Sequence, residues 1–499
     1  MIQKEPQLNE QISLYDRVVK GGAWVFSLRM IQQILGIVRL LILARILAPH
    51  DFGLMGIALI TMSTLETFSQ TGFQSALIQK KENIDAYLNT AWTYLMIRGI
   101  SLCGLLYLAA PHAAVFFSAS EAEAIMKVLG LSVMIQSCQN IGIIYFRKEL
   151  QFNKQFLYEF CGTVSDFIVA ISAALILRNV WALVLGVMVR SIVTSVMSYY
   201  IHPFRPRFSF DRAKARELFG FGKWVFGSGI LVFLLTQGDD IFVGKMLGVA
   251  ALGFYQMAYK ISNMPATEIT RVISSVTFPA YSVIQRNHER LREAYLNVFK
   301  VSAYLSIPVA AFIFCLAPDI THTFFGEKWV PMIPAMMILA WWGVIRGLVG
   351  SISPVFYAIG RPDLVTKMQF WQTILLCALV YPLTHYWNIT GTATAVLVSA
   401  LVMFFIRSHV LLTTIKLEML QFYRPIVSSL IIAAVSVLPL MVLKQLLRHT
   451  VNVYILFLFA GIFFSMVLGL ICTTDESVSL RLKALYKMYR FNGEGKNVS

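Results

Sequence analysis

"GAWVF" at residues 22–26 returns as "GKWVF" at 222–226, and the match continues without a gap at an offset of 200. Leu35 falls on Leu235, Arg45 on Lys245, Leu47 on Leu247, Gly53 on Gly253, Ala58 on Ala258 and Thr67 on Thr267. The register holds across two whole apolar runs. Six such runs separate the copies, an even number, so both copies enter a membrane the same way up. This pattern implies two parallel six-helix lobes related by an axis along the membrane normal, with a pathway between them.

The rest of the chain supports a membrane solvent. Of 499 residues, 57% are hydrophobic and only 14% charged, with mean hydropathy +0.68; no soluble domain needs such a composition. Counting stretches of roughly twenty mostly apolar residues gives about fourteen spans. They run near 21–47, 52–78, 89–117, 124–146, 157–177, 180–201, 223–247, 252–285, 294–317, 331–359, 364–387, 391–415, 425–443 and 452–472. The expected fold is an all-α integral membrane protein: lobe 1–210 (spans 1–6), lobe 211–420 (spans 7–12), two further spans in 421–475, and a basic tail 476–499.

Charge sets the orientation. With the N-terminus in the cytoplasm, the inner loops hold Lys80, Lys81, Arg147, Lys148, Lys154, Arg205, Arg207, Arg212, Lys214, Arg216, Arg286, Arg290, Arg292, Arg361, Lys367, Lys416 and Arg424. The outer loops hold only Arg178, Lys328, Lys444 and Arg448. That asymmetry places both termini inside. It also accounts for the net charge of +16, so no nucleic acid is expected as a partner. The first twenty residues are polar, and no cleaved signal peptide is expected. The loop 202–218 is basic and partly amphipathic, which suits the inner membrane surface. The six cysteines lie in apolar stretches without metal-ligand spacing, so no metal is expected.

Several spans carry polar stripes that a lipid-facing helix has no use for. Arg29, Gln32, Gln33, Gly36 and Arg39 share one face of span 1. Span 8 aligns Gln256, Lys260, Asn263, Thr267, Arg271 and Ser274, while span 3 carries Arg98 and span 10 Arg346. Hydroxyls and amides serve as glue between helices, but repeated arginines point to a water-filled cationic cavity. Arg45, Lys127, Lys245 and Arg407 lie nearer span ends and read as snorkelling side chains.

The two copies differ in sign at one matched position, Arg39 against Asp239. Asp239 and Asp240 lie about 12 Å below the end of span 7, with Lys260 at a similar depth in span 8. Three readings stay open for the aspartates: an ion pair with Lys260, a contact between lobes, or an ion-coupling site. Ile60 stands at Lys260's place in the first copy, so Arg39 is the more available charge. Glu66, Asp166, Asp239 and Glu268 are candidates for proton or Na⁺ coupling, and Glu268 with Arg271 can also neutralise each other.

The segments "LARILAPHDFGLMGIAL" (43–59), "TGFQSALIQK" (71–80), "DDIFVGKMLGVAALGFYQMAYKI" (239–261), "ISSVTFPAYSVIQ" (273–285) and "FGEKW" (325–329) together resemble the Wzx-like polysaccharide transporters. These are oligosaccharide-lipid flippases of the multidrug/oligosaccharidyl-lipid/polysaccharide exporter superfamily. The resemblance covers roughly residues 15–420. It implies a fourteen-helix, two-lobed protein of the bacterial cytoplasmic membrane, moving undecaprenyl-diphosphate-linked oligosaccharide outward by alternating access. It further implies no cofactor, membrane lipid as surroundings, and polysaccharide polymerase and chain-length machinery as partners. The family's aspartate preceding x-x-x-x-Gly-Lys/Arg falls on Asp239.

On that reading Arg29 and Arg39 receive the diphosphate, with Arg98, Arg271 and Arg346 behind them, and Gln32, Gln33 and Asn263 face sugars. Glu66, Asp166, Asp239, Asp240, Lys260 and Glu268 serve coupling or the gate between lobes. Membrane potential alone is a second possible drive. Two alternatives stand beside this: a cation-coupled multidrug exporter of the same superfamily, and a membrane polysaccharide polymerase. The first prefers an acidic lining; the second needs a sizeable outer loop or clustered acid/base groups, which the chain lacks.

Overall fold

A computed structural model of the chain describes residues 30–69, 84–148 and 151–446. Span 14, the basic tail and Arg29 lie outside the described residues. Those described are helical, with no strand among them. In chain order the helices are α1 (30–46), α2 (Pro49–Phe68), α3 (Asp85–Phe116), α4 (Glu121–Ser137), α5 (Ile144–Lys148), α6 (Phe152–Leu177) and α7 (Trp181–Ile201). They continue as α8 (Arg212–Leu247), α9 (Val249–Ile284), α10 (His288–Ile320), α11 (Ile333–Ala358), α12 (Pro362–Ile415) and α13 (Met419–Leu446).

Helix ends are written locally. Pro49 opens α2, where a missing N–H costs nothing, and the Ala48 N–H is taken by Asp51 Oδ2 at 2.8 Å. Arg178 and Lys416 close α6 and α12 in the left-handed region, at φ 53° and 52°. The long run α12 is two helices: Trp387 and Asn388 leave helical geometry, and Thr384 and Thr392 then share a 2.8 Å hydrogen bond between their hydroxyls. Spans 11 and 12 are therefore separate, joined by a tight reversal.

One expected span is interrupted. The run 124–146 breaks after Ser137, because Asn140 turns the chain into a 3₁₀ turn at Ile141–Ile143. The fully buried Asn140 accepts the Gly142 N–H at 2.9 Å and donates to the carbonyls of His202 and Phe204 at 3.2 and 2.6 Å. Three backbone groups are thereby satisfied by one amide. The basic loop also has a defined course. Residues 202–211 form no helix, since Pro203 and Pro206 exclude it. They lie along α3, with the Arg207 and Ser209 N–H groups donating to Asn89 Oδ1 and Thr93 Oγ1 at 2.9 and 3.0 Å.

Side chains are distributed as lipid demands. Val115, Ile176, Tyr200, Leu420 and Ile431 are exposed, while Ser132, Asp166, Ser191, Thr194, Ser198 and Ser399 are buried. Among the described residues, seven helices are long and apolar enough to cross a membrane by length and composition. Neither the α1–α2 nor the α8–α9 hairpin is among them; these carry Arg39, Glu66, Asp239, Asp240 and Lys260. The chain forms two compact units that meet between Phe254 and Tyr255, within α9. In the second unit, Tyr295, Phe299 and Phe422 form an aromatic stack, with Phe299 and Phe422 centroids 4.5 Å apart.

Candidate functional site

In the first unit α2, α3, α4, α6 and α7 enclose a cavity of about 770 Å³. About half of its wall is polar, including Gln136, Gln139, Gln155, Tyr158, Ser191 and Thr194, with the charged groups Glu66, Arg98, Glu159 and Arg190. It reaches down to the 139–146 turn, the segment that Asn140 fixes. A network braces the lining, since Tyr158 Oη donates to Gln139 Oε1 at 2.8 Å and Gln139 Nε2 donates to Thr194 Oγ1 at 3.2 Å.

The four charges are two guanidiniums and two carboxylates, so this cavity is mixed in sign. They differ in how firmly they are held. Arg98 is fixed by the end of α2: its Nε donates to Ser69 O at 2.9 Å and its Nη2 to Glu66 O at 3.1 Å. Glu159 Oε1 accepts from Gln155 Nε2 at 2.7 Å. Arg190 is exposed and lines the cavity, and among the described residues its guanidinium makes no hydrogen bond or ion pair. A fork of five donors in that position suits a multidentate anion.

Arg39 is not the available charge that Ile60, standing at Lys260's matched position, suggested. Asp166, from α6, meets its Nη2 at 2.8 Å. The pair is largely buried against α7, where Gly186 makes room for it. A Cβ there would lie 3.0 Å from Arg39 Nη2 and closer still to Asp166 Oδ1. Asp166 is thus tied to Arg39 beside Gly186, one turn of α7 from Arg190.

The other sequence candidates are placed as follows. Gln32 and Gln33 are half-buried on α1. Asp239 is 3% exposed, Asp240 half-buried and Lys260 exposed. Glu268 is half-buried, and the side chain of Arg271 is outside what is described. In the second unit, Arg346 stands 5.5 Å over the Trp342 ring, which lies 5.0 Å from Tyr259. Asn263, buried, donates to Tyr259 O on its own helix at 3.1 Å. Arg407, read from sequence as snorkelling, instead donates to Gln372 Oε1 at 2.8 Å.

The structure therefore brings Glu66 and Arg98 to one cavity, with the Arg39–Asp166 pair against α7. Sequence reasoning missed Arg190, Gln139, Tyr158 and Thr194. A signal existed for α7, because Arg190, Ser191, Thr194, Ser195 and Ser198 follow the same one-face spacing that marked span 1.

Comparison with known proteins agrees with this architecture. The "Lipopolysaccharide biosynthesis protein WzxC" of Escherichia coli (strain K12) is 26% identical over 73% of this chain and 74% of its own length. The "Teichuronic acid biosynthesis protein TuaB" of Bacillus subtilis (strain 168) is 26% identical over 85% of this chain and 88% of its own. Among solved structures, "Lipid II flippase MurJ, inward closed conformation" shares the fold with TM-score 0.72 and 15% identity, over 90% of this chain and 99% of that one. Residues 42–334 match the family described as "Polysaccharide biosynthesis protein", and the chain, a multi-pass helical membrane protein, belongs to that family.

Proposed function

We propose that this chain flips undecaprenyl-diphosphate-linked oligosaccharide from the cytoplasmic to the outer leaflet of the bacterial cytoplasmic membrane, for surface polysaccharide synthesis. The observation that carries the reading is a polar cavity of about 770 Å³ inside a helical body with apolar side chains outside. A glycan head carries many hydroxyls, and each costs about 2–7 kcal/mol to strip of water without a partner. The amides and hydroxyls of Gln136, Gln139, Tyr158 and Thr194 supply such partners, while the prenyl tail stays in lipid. Arg190 is the cation best placed for the diphosphate. Arg39 acts behind it through Asp166, and Arg98 supports the wall.

Both termini lie in the cytoplasm in this account. Moving two negative charges out of a negative interior gains about 2.3 kcal/mol per charge per 100 mV. Membrane potential can therefore drive export without a dedicated ion site; proton or Na⁺ coupling would use the carboxylates Glu66, Asp166, Asp239 or Glu268. Polysaccharide polymerase and chain-length machinery would receive the product.

Deletion of the gene tests this. Lipid-linked oligosaccharide should accumulate in the cytoplasmic leaflet, and surface polysaccharide should be lost. Normal polysaccharide, with drug susceptibility altered instead, would contradict it.

A further inference from the structure

Residues 202–211 cross the first unit as a strap bonded to α3 and to Asn140. Three cations stand at this end of the unit: Arg205 and Arg207 on the strap, and Lys154 in the first turn of α6. All three are exposed, and among the described residues none of them makes an ion pair. A short loop gathers cations for topology alone, but topology does not require that they be held in place. These are held.

Arg205 Nη1 donates to the carbonyls of His202 and Phe204 at 2.8 and 3.0 Å, and the guanidinium stands 5.9 Å over the Tyr199 ring. Arg207 is carried by backbone that Asn89 and Thr93 fix. The strap's Phe208 and Phe210 pack on Trp92 and Tyr94, each pair with centroids 5.2 Å apart, yet remain 71% and 56% exposed. Lys154 Nζ lies 5.9 Å over the Phe146 ring, and Lys154 is one turn from Tyr158 on the same face of α6. Phe146, Tyr158 and Asn140 all line the cavity. The three cations are therefore continuous with its wall.

We propose that Lys154, Arg205 and Arg207 form a loading site, which takes the diphosphate of a polyprenyl-diphosphate lipid from the cytoplasmic leaflet before it enters the cavity. The proposal rests on the flippase reading and names where that substrate first binds. Two guanidiniums and an ammonium at separate points match a group with anionic oxygens on two phosphorus atoms. The rings beside them have the character of an interfacial aromatic belt, which sets the cations at headgroup depth. The prenyl chain stays in the leaflet while its diphosphate meets the site, and Arg190 is the next cation inward.

The test is binding of undecaprenyl diphosphate, which carries no glycan, to the protein in phosphatidylcholine nanodiscs. An Arg190→Ala chain should still bind it, because the loading site lies outside the cavity. In that chain Lys154→Gln, Arg205→Gln and Arg207→Gln should each weaken binding by about fivefold, and together by about tenfold or more. Arg205 also braces the strap. Lys154→Gln with Arg207→Gln, which removes no described side-chain hydrogen bond, should therefore show most of the loss by itself.

No binding by the Arg190→Ala chain, or undiminished binding after the three changes, would overturn the loading site. Displacement of the probe by a modest fraction of phosphatidylglycerol would assign the cations to anionic phospholipid at large, and would overturn it too. Gene deletion separates the two claims. Binding lost with the three cations, in a chain whose deletion leaves glycan export intact, keeps the site and removes the flippase. Lipid-linked oligosaccharide accumulating on deletion, with binding undiminished by the three changes, does the reverse.

Discussion

The hairpins α1–α2 and α8–α9 are copies in sequence, and they agree in one place and diverge in another. Where their turns meet, both have glycine, at 53 and 253, and the contact is the same from either side. Fourteen positions earlier, α1 has Arg39 and α8 has Asp239. Arg39 is joined to Asp166 at 2.8 Å, and Asp239 is buried at 3% exposure. The repeat thus holds the geometry where backbones touch and changes the chemistry where side chains face the protein interior.

That comparison can be broken most severely by making the two hairpins alike in charge. Arg39→Asp would set a second carboxylate beside Asp166 and should give the largest loss, preventing stable accumulation in the membrane. Restoring opposite signs with Asp166→Arg in the same chain should recover part of it. Asp166→Asn alone leaves a mostly buried guanidinium without its counter-charge, a defect worth about 3–5 kcal/mol. Thermal unfolding in detergent should read it as a clear fall in Tm.

Gly186→Ala should be milder. The added methyl presses on the pair without removing a charge, an overpacking cost of about 1–3 kcal/mol. The smallest effect belongs to the exposed counterpart of the Arg39–Asp166 pair. Arg361 Nε donates to Asp363 Oδ1 at 3.0 Å in the first turn of α12. That hydrogen bond, with the Arg361 and Lys367 charges, holds the Asp363 carboxyl below its ordinary value. Its contribution is therefore present at neutral pH and lost as pH falls through the lowered pKa. Asp363→Asn should change Tm slightly at neutral pH and not at all in strong acid.

Most of the fold was legible because lipid imposes a simple rule. Long apolar runs marked a helix in each of the thirteen expected spans that the described residues reach, and even the reversal at Trp387–Asn388 separates two runs read as distinct. The break at Asn140 was not legible, because its cause is three hydrogen bonds, two of them to residues more than sixty positions away.

The site was legible in kind but not in assignment. Arginines inside spans pointed to a polar cavity, but which of them stays unpaired depends on α6 and α7 packing beside α1. Asp166 lies 127 positions from Arg39, and no local pattern ties them. Arg190 was overlooked for a different reason: its stripe is short, and its span is otherwise apolar.

The central claim is that the polar cavity of the first unit carries the glycan-diphosphate head, with Arg190, whose guanidinium has no partner among the described residues, as its cation. The most direct measurement is the rate at which purified protein in liposomes flips undecaprenyl-diphosphate-linked oligosaccharide, compared between the native chain, Arg190→Lys and Arg190→Ala. A hydrogen-bonded charge of this kind contributes about 1.5–3 kcal/mol, so Arg190→Ala should slow flipping by about ten- to a hundredfold, with Arg190→Lys between the two. A folded Arg190→Ala protein that flips at the native rate would contradict the account.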